Sequence, residues 1–229
     1  MTAQTADEII NKYLAQTGGA EKWATLKTLK STLKIKTQGM DLPATSLSKA
    51  PNAQKFSFSF QGKEIVQECF DGKEGWSTNF MTMAAEKMEA EDSENKSQEL
   101  DFPDPFIDYA KKGYSITLEG EETVEGTVCH KIKLTKKPMK VDGKTEENFA
   151  FYFFDKENNV PIMSRSVIKK GQMKGVTSET FMSDYQEVNG LFFPFTIQQK
   201  MNGELAASVS VEKIEVNPEV KDGEFAMPK

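Results

Sequence analysis

The sequence has little of what most enzymes and nucleic-acid binders are built from: one histidine, one arginine and two cysteines in 229 residues. Nucleophilic catalysis on a Ser-His-Asp or Cys-His plan needs an imidazole beside the nucleophile, and His130 would have to serve alone. It lies in Val128-Cys129-His130-Lys131-Ile132, where its alternation matches the apolar Ile132, so a packed side chain is the favoured reading. One His with Cys69 and Cys129 sixty residues apart cannot furnish four zinc ligands without unusual carboxylate help. No Gly-x-Ser-x-Gly elbow, phosphate loop or dinucleotide fingerprint occurs. No enzyme activity, cofactor or metal is therefore expected.

Basic charge is also scarce. A net charge of -6, a pI near 5.1 and scattered lysines around the lone Arg165 would repel a phosphate backbone, which argues against a nucleic-acid partner. No run of residues approaches the roughly 18 apolar positions of a membrane-spanning helix, so no transmembrane segment is expected. The two cysteines fall in strand-like segments. A disulfide would need Cβ atoms about 3.8 Å apart, which sequence does not give, and two free, partly buried thiols are the expectation.

What is present is a core-forming composition, 38% hydrophobic and 28% charged, with 16 Phe among the aromatics. The length suits one all-β or α+β domain. Thr5 with Glu8 three residues on makes a capping box, Ile9, Ile10, Tyr13 and Leu14 form one apolar face, and Gly18-Gly19 stops this first helix. A short second helix through Trp23 and Leu26 completes N-terminal helices over residues 1–28. From Leu29 the period changes to two: Leu29, Ser31, Leu33 and Ile35 alternate with Lys30, Thr32, Lys34 and Lys36.

Turn dipeptides recur at Gln61-Gly62, Asp71-Gly72, Asp142-Gly143, Asn158-Asn159, Asn189-Gly190 and Asn202-Gly203, several suited to tight hairpins. Strands are predicted near 29–38, 43–49, 52–60, 63–70, 74–79, 114–124, 127–137, 146–154, 161–170, 173–184, 191–200 and 204–216. Residues 81–112 interrupt them with Ala, Met and Glu, then Phe102-Pro103-Asp104-Pro105-Phe106 and a helical Ile107-Asp108-Tyr109-Ala110, one helical cover inserted between strands. Asp104 before Pro105 reads as a helix N-cap, and the acidic Glu86, Glu89, Glu91, Asp92 and Glu94 as a solvated helix face.

Phe149-Ala150-Phe151-Tyr152-Phe153-Phe154 and Leu191-Phe192-Phe193-Pro194-Phe195 are apolar on both faces, so something covers each side. Either side chains fill the hollow or it is an apolar cavity of the kind that takes a hydrophobic ligand. Met81, Met83 and Met88 are adaptable side chains, suited to a variable ligand or to filling gaps.

The chain resembles the periplasmic outer-membrane lipoprotein-sorting (LolA/LolB-like) proteins, in a long form. The resemblance rests on Asp7-Glu8-Ile9-Ile10 with Gly18-Gly19, Asp71-Gly72 before Gly75-Trp76, and Gly126 before Cys129-His130-Lys131-Ile132. It continues in Phe153-Phe154-Asp155, Ser183-Asp184-Tyr185, Asn189-Gly190-Leu191-Phe192-Phe193-Pro194, Asn217 and Phe225. It implies one α+β domain over 1–229, a strongly curved antiparallel sheet forming an unclosed half-barrel of about 11–12 strands. Helices would cover its concave face.

It further implies a monomeric periplasmic carrier or chaperone for lipoprotein acyl chains or another lipid, with room for an envelope delivery partner, the start Met1-Thr2-Ala3-Gln4-Thr5-Ala6-Asp7 reading as a mature N-terminus with an added Met after signal-peptide removal. The expected cavity lining is Phe56, Phe58, Phe60, Trp76, Phe80 and Met83, with Met88, Phe151, Phe153, Phe193 and Phe195. The family's inward-facing arginine, which helps govern release, has no assignable counterpart, the chain's one arginine being Arg165. The rival expectation is a non-catalytic envelope interaction module with a filled core.

Overall fold

The computed structural model describes residues 4–221 and 223–228; Met1-Thr2-Ala3, the first residues of the expected mature N-terminus, lie outside them. Helix α1 (Ala6–Gln16) begins as its sequence dictates. The Thr5 hydroxyl accepts from the Glu8 amide at 3.2 Å, and the Thr5 amide donates to the Glu8 carboxylate at 2.9 Å. Its buried residues are Ile9, Ile10, Tyr13 and Leu14. The chain then turns through Gly18 and Gly19, both at positive φ, into α2 (Ala20–Ala24). A Cβ on Gly18 would stand 2.3 Å from the Gly190 carbonyl oxygen, so only glycine lets these two segments touch.

Fifteen strands follow. They are β1 (Thr28–Thr37), β2 (Met40–Lys49), β3 (Ala53–Phe60), β4 (Lys63–Phe70), β5 (Gly75–Thr78), β6 (Ala85–Lys87), β7 (Ser115–Val124) and β8 (Thr127–Thr135). After them come β9 (Met139–Val141), β10 (Lys144–Glu146), β11 (Phe149–Asp155), β12 (Pro161–Val167), β13 (Thr177–Val188), β14 (Leu191–Met201) and β15 (Glu204–Val216). Thirteen of them form one sheet in the order β6-β5-β4-β3-β2-β1-β15-β14-β13-β12-β11-β8-β7, whose end strands do not meet. The sheet is open and its strands pair antiparallel. The hairpin turns explain why. Gln38-Gly39, Gln61-Gly62, Glu125-Gly126, Asp142-Gly143, Asn189-Gly190 and Asn202-Gly203 each place two successive residues at positive φ, the backbone of a two-residue I′ turn.

Two expectations are corrected. The sheet has thirteen strands rather than eleven or twelve, because β6 adds a short edge, and β9 and β10 form a separate two-stranded hairpin around Asp142-Gly143. The segment 81–112 is not one helical excursion: it contains β6, then α3 (Ala90–Gln98), then successive turns over 105–113. Ile107–Ala110 is not helical because Asp108 takes a φ of 50°, and the amides of Lys112, Gly113 and Tyr114 return to carbonyls of Asp108, Ala110 and Tyr109.

The contacts group the chain into two units, Met1–Trp23 with Phe106–Ser208, and Ala24–Pro105 with Val209–Lys229. In the first, α1 packs on the sheet through aromatic edges. Tyr13 meets Phe106 and Phe154 at centroid distances of 6.1 and 5.5 Å, and Phe106 meets Tyr152 and Phe154 at 4.9 and 5.5 Å. Trp23 of α2 meets Phe193 at 5.1 Å and donates its indole N–H to the buried Thr17 hydroxyl at 3.1 Å. In the second unit, Asn217 joins the end of β15 to the start of β1. Its side-chain oxygen accepts from the amides of Lys27 and Thr28 at 2.7 and 3.2 Å, and its own amide donates to the Thr28 carbonyl at 2.8 Å. Residues 218–221 and 223–228 follow that clamp, with Val220, Phe225 and Met227 packed against Leu47, Val66 and Trp76 of the sheet.

Candidate functional site

Strand register decides which predicted lining residues share a face in the second unit. Leu33 pairs with Ala44, Ala44 with Phe58, Phe58 with Ile65, and Phe56 with Glu68, so Phe56, Phe58 and Phe60 stand together on one face of β3. All three are half-buried, beside the buried Leu33, Ile35, Ala44 and Ile65. Helix α3 lies against this face: Lys96 pairs with Glu68 at 2.6 Å, and Asn52 donates to the Ser97 carbonyl at 3.0 Å. Met88 joins the same side, its methyl 2.7 Å from where a Cβ of Gly75 would be, and Gly75 pairs with Phe70.

Phe80 extends the row at its end, 5.5 Å from the Phe60 ring centroid and 57% exposed. It sits in a loop ordered by Asn79, whose side-chain oxygen accepts from the amides of Met81 and Thr82 at 2.8 and 3.0 Å.

Trp76 is on the opposite face. It pairs with Cys69, which pairs with Lys55, one residue out of phase with Phe56. Here the C-terminal residues act as a strap: the Phe225 carbonyl accepts from the Trp76 indole at 3.1 Å and from the Cys69 thiol at 3.4 Å, and Phe225 packs with Leu47, Val66 and Trp76. Met83 lines a cleft of about 830 Å³ between this face and the strap. The predicted set therefore does not form one site. Phe56, Phe58, Phe60, Phe80 and Met88 gather on the α3 side, and Trp76 and Met83 on the strap side.

In the first unit the two-sided strand β11 resolves the same way. Tyr152 and Phe154 face α1, while Phe151 and Phe153 pair with Arg165 and Met163 on the other face. There the rings lie under cations. Lys131 stands 4.7 Å from the Phe151 centroid, the Arg165 guanidinium 4.8 Å from Phe153, and Lys200 4.2 Å from Phe181. Phe153 is fully buried, Phe193 meets Trp23 of α2, and Phe195, two residues on along the same face of β14, is half-buried.

Arg165 is held on that cation-covered face by Glu179 at 2.8 Å and Glu122 at 2.9 Å, away from α1. Burial pushes the Glu122 carboxyl up, but hydrogen bonds from Lys131 and Arg165 outweigh it and hold the carboxyl below its usual value.

His130 shares the Ile132 face, with a side chain 12% exposed and its Nδ1 4.0 Å from Glu121; burial, then the nearby Lys156, lowers its pKa. Cys69 and Cys129 are free and more deeply placed than expected: both are fully buried, and desolvation pushes each thiol up to about 11. Among the described residues no group of three or more His, Cys, Asp or Glu is placed to hold a metal ion, and no helix is long and apolar enough to cross a membrane.

Comparison with solved structures places this architecture. A LolA-superfamily protein from Nitrosomonas europaea superposes with a TM-score of 0.56 at 13% identity, covering 98% of each chain. The fold of this chain is similar to the fold of that LolA-superfamily protein. A domain from Vibrio parahaemolyticus described as outer-membrane lipoprotein-sorting gives the same score at 9% identity over 96% of this chain and 95% of its own. A DUF1329 family protein from Desulfovibrio piger gives it at 12% identity over 97% and 98%. No family model and no curated protein matches the chain in sequence. The fold is thus shared with structures to which the sequence has little identity.

Proposed function

We propose that the protein is a periplasmic carrier or chaperone that binds lipoprotein acyl chains, or another lipid, along Phe56, Phe58 and Phe60. The observation that carries this reading is the row itself: three rings in line on one strand of a LolA-like sheet, half-buried rather than packed away, with Phe80 exposed at its end. Helix α3 is tied to the same face by Lys96 to Glu68 and Asn52 to Ser97, and none of its residues is buried, so it can lift without exposing a core of its own.

Burying acyl methylenes is favourable by about 0.8 kcal/mol each, so a monomeric carrier needs no covalent chemistry to load its cargo. Handing that cargo to an envelope partner would complete the cycle.

A second reading has its own support. In the first unit the space between α1 and the sheet is filled by Tyr13, Phe106, Tyr152 and Phe154, as a non-catalytic interaction module with a filled core requires. Native mass spectrometry of the purified protein, solvent extraction and displacement of a fluorescent fatty acid separate the two. Co-purified or displaceable acyl lipid supports the carrier; a bare protein that takes up no probe supports the module.

A further inference from the structure

The strap side holds a cleft of its own, on the face of β3–β5 opposite the phenylalanine row. Its volume of about 830 Å³ lies within the usual range of small-molecule sites. Val66, Trp76 and Ala85 of the sheet form one wall, and Met83, Met227 and Pro228 close it from the loop and the strap. The Trp76 indole N–H is already spent on the Phe225 carbonyl, so this wall offers the ligand apolar surface and no donor from tryptophan.

The polar end is built from three charged groups, the only charged side chains lining the cleft among the described residues. The Lys55 ammonium, its side chain 17% exposed, lies 3.2 Å from Glu224 and 3.6 Å from Glu64. Two carboxylates on one ammonium leave an excess negative charge, and Glu64, 59% exposed and the more distant of the two from Lys55, is the carboxylate that meets a ligand. A fatty-acid carboxylate entering here would find its only cation doubly paired and two like charges beside it. An ammonium would be drawn to Glu64 while its alkyl chain lay against Val66, Trp76 and Met83.

We propose that this cleft is a second ligand site, separate from the acyl row, that takes a small cationic amphiphile: an alkyl chain ending in a primary or quaternary ammonium. Because the cleft lies between sheet and strap, such a ligand holds residues 223–228 down. Cys69 reports on that directly, since its thiol donates to the Phe225 carbonyl and is fully buried under the strap. A reagent reaches it only when the strap lifts.

The test uses the whole wild-type protein and peptide-resolved mass spectrometry of thiol alkylation at Cys69 and Cys129. Octylammonium and octanoate are compared at equal concentrations below their micellar range. Octylammonium is expected to slow alkylation of Cys69 at least fivefold with Cys129 unchanged, and octanoate to leave both rates alone. Glu64→Gln, a change at an exposed side chain, is expected to raise the octylammonium concentration needed for half-protection about tenfold. Equal protection by octanoate, equal slowing of both thiols, or an unchanged half-protection concentration in Glu64→Gln would each overturn the proposal. None of these outcomes depends on whether Phe56, Phe58 and Phe60 bind lipid.

Discussion

Truncating Phe58 probes the acyl-binding row at its centre. Phe56 and Phe60 are four residues apart on β3, which at about 3.3 Å per residue sets them about 13 Å apart, the length of about ten methylenes. Ten methylenes buried on every side would gain about 8 kcal/mol, and lying on a sheet, covered from one side only, about half of that. The middle ring accounts for a third of the remainder, about 1.3 kcal/mol, or close to tenfold in Kd.

Phe58→Ala is therefore expected to weaken displacement of a fluorescent fatty acid about tenfold. Phe151→Ala, which removes an equally Phe-rich strand's ring from beneath Lys131, should leave it within about twofold. Across fatty acids of increasing length, affinity should climb steeply to about ten carbons and more slowly beyond that, where the chain passes Phe60 to the exposed Phe80. Wild-type affinity in folded Phe58→Ala, or an equal loss in Phe151→Ala, would refute the assignment.

Three further outcomes follow from the packing. Phe106→Ala removes a buried ring that makes three aromatic contacts, and should cost about 3–5 kcal/mol in urea denaturation; Phe80→Ala, at an exposed loop, should cost under about 1. Gly18→Ala must resolve a 2.3 Å clash with the Gly190 carbonyl at a φ of +119°, and should lower the thermal midpoint far more than Gly143→Ala, whose Cβ would enter open space. The buried thiols of Cys69 and Cys129 rise from 9.0 to about 11 on folding, so the stability they confer is complete below pH 9 and falls as the pH climbs to 11. Replacing both by Ala should flatten that part of the stability-pH curve measured by chemical denaturation.

Much of the fold was legible because it is written locally. The capping box of Thr5 and Glu8, the X-Gly hairpin turns and the alternation of β1 all depend on residues within a few positions of one another. The site was less legible because a phenylalanine's face depends on its partner strand. Phe151 and Phe153 look like cavity residues until register sets them opposite Arg165 and Met163, and Trp76 looks like a neighbour of Phe58 until Cys69 places it on the other side.

The cover over 81–112 misled for another reason. Its composition favours helix, but nine residues of α3 are all that Asp108 and the prolines leave helical. The strap was signalled only by Asn217 and Phe225, whose partners lie about 190 and 150 residues away.

The sheet order has a kinetic side. Strands β1 to β6 and β7 to β14 pair chiefly with strands close in sequence, but the strand between β1 and β14 is β15, made last. Until residues 204–216 arrive, β1 and β14 each present an open edge of unpaired backbone, the kind of surface that recruits stray strands. Joining β15 to β1 also closes a loop of well over a hundred residues, so this step should be slow compared with the hairpins that precede it. A chain cut before β15 would keep its local hairpins but leave both edges bare, and would aggregate or call on a chaperone rather than simply lose part of its surface.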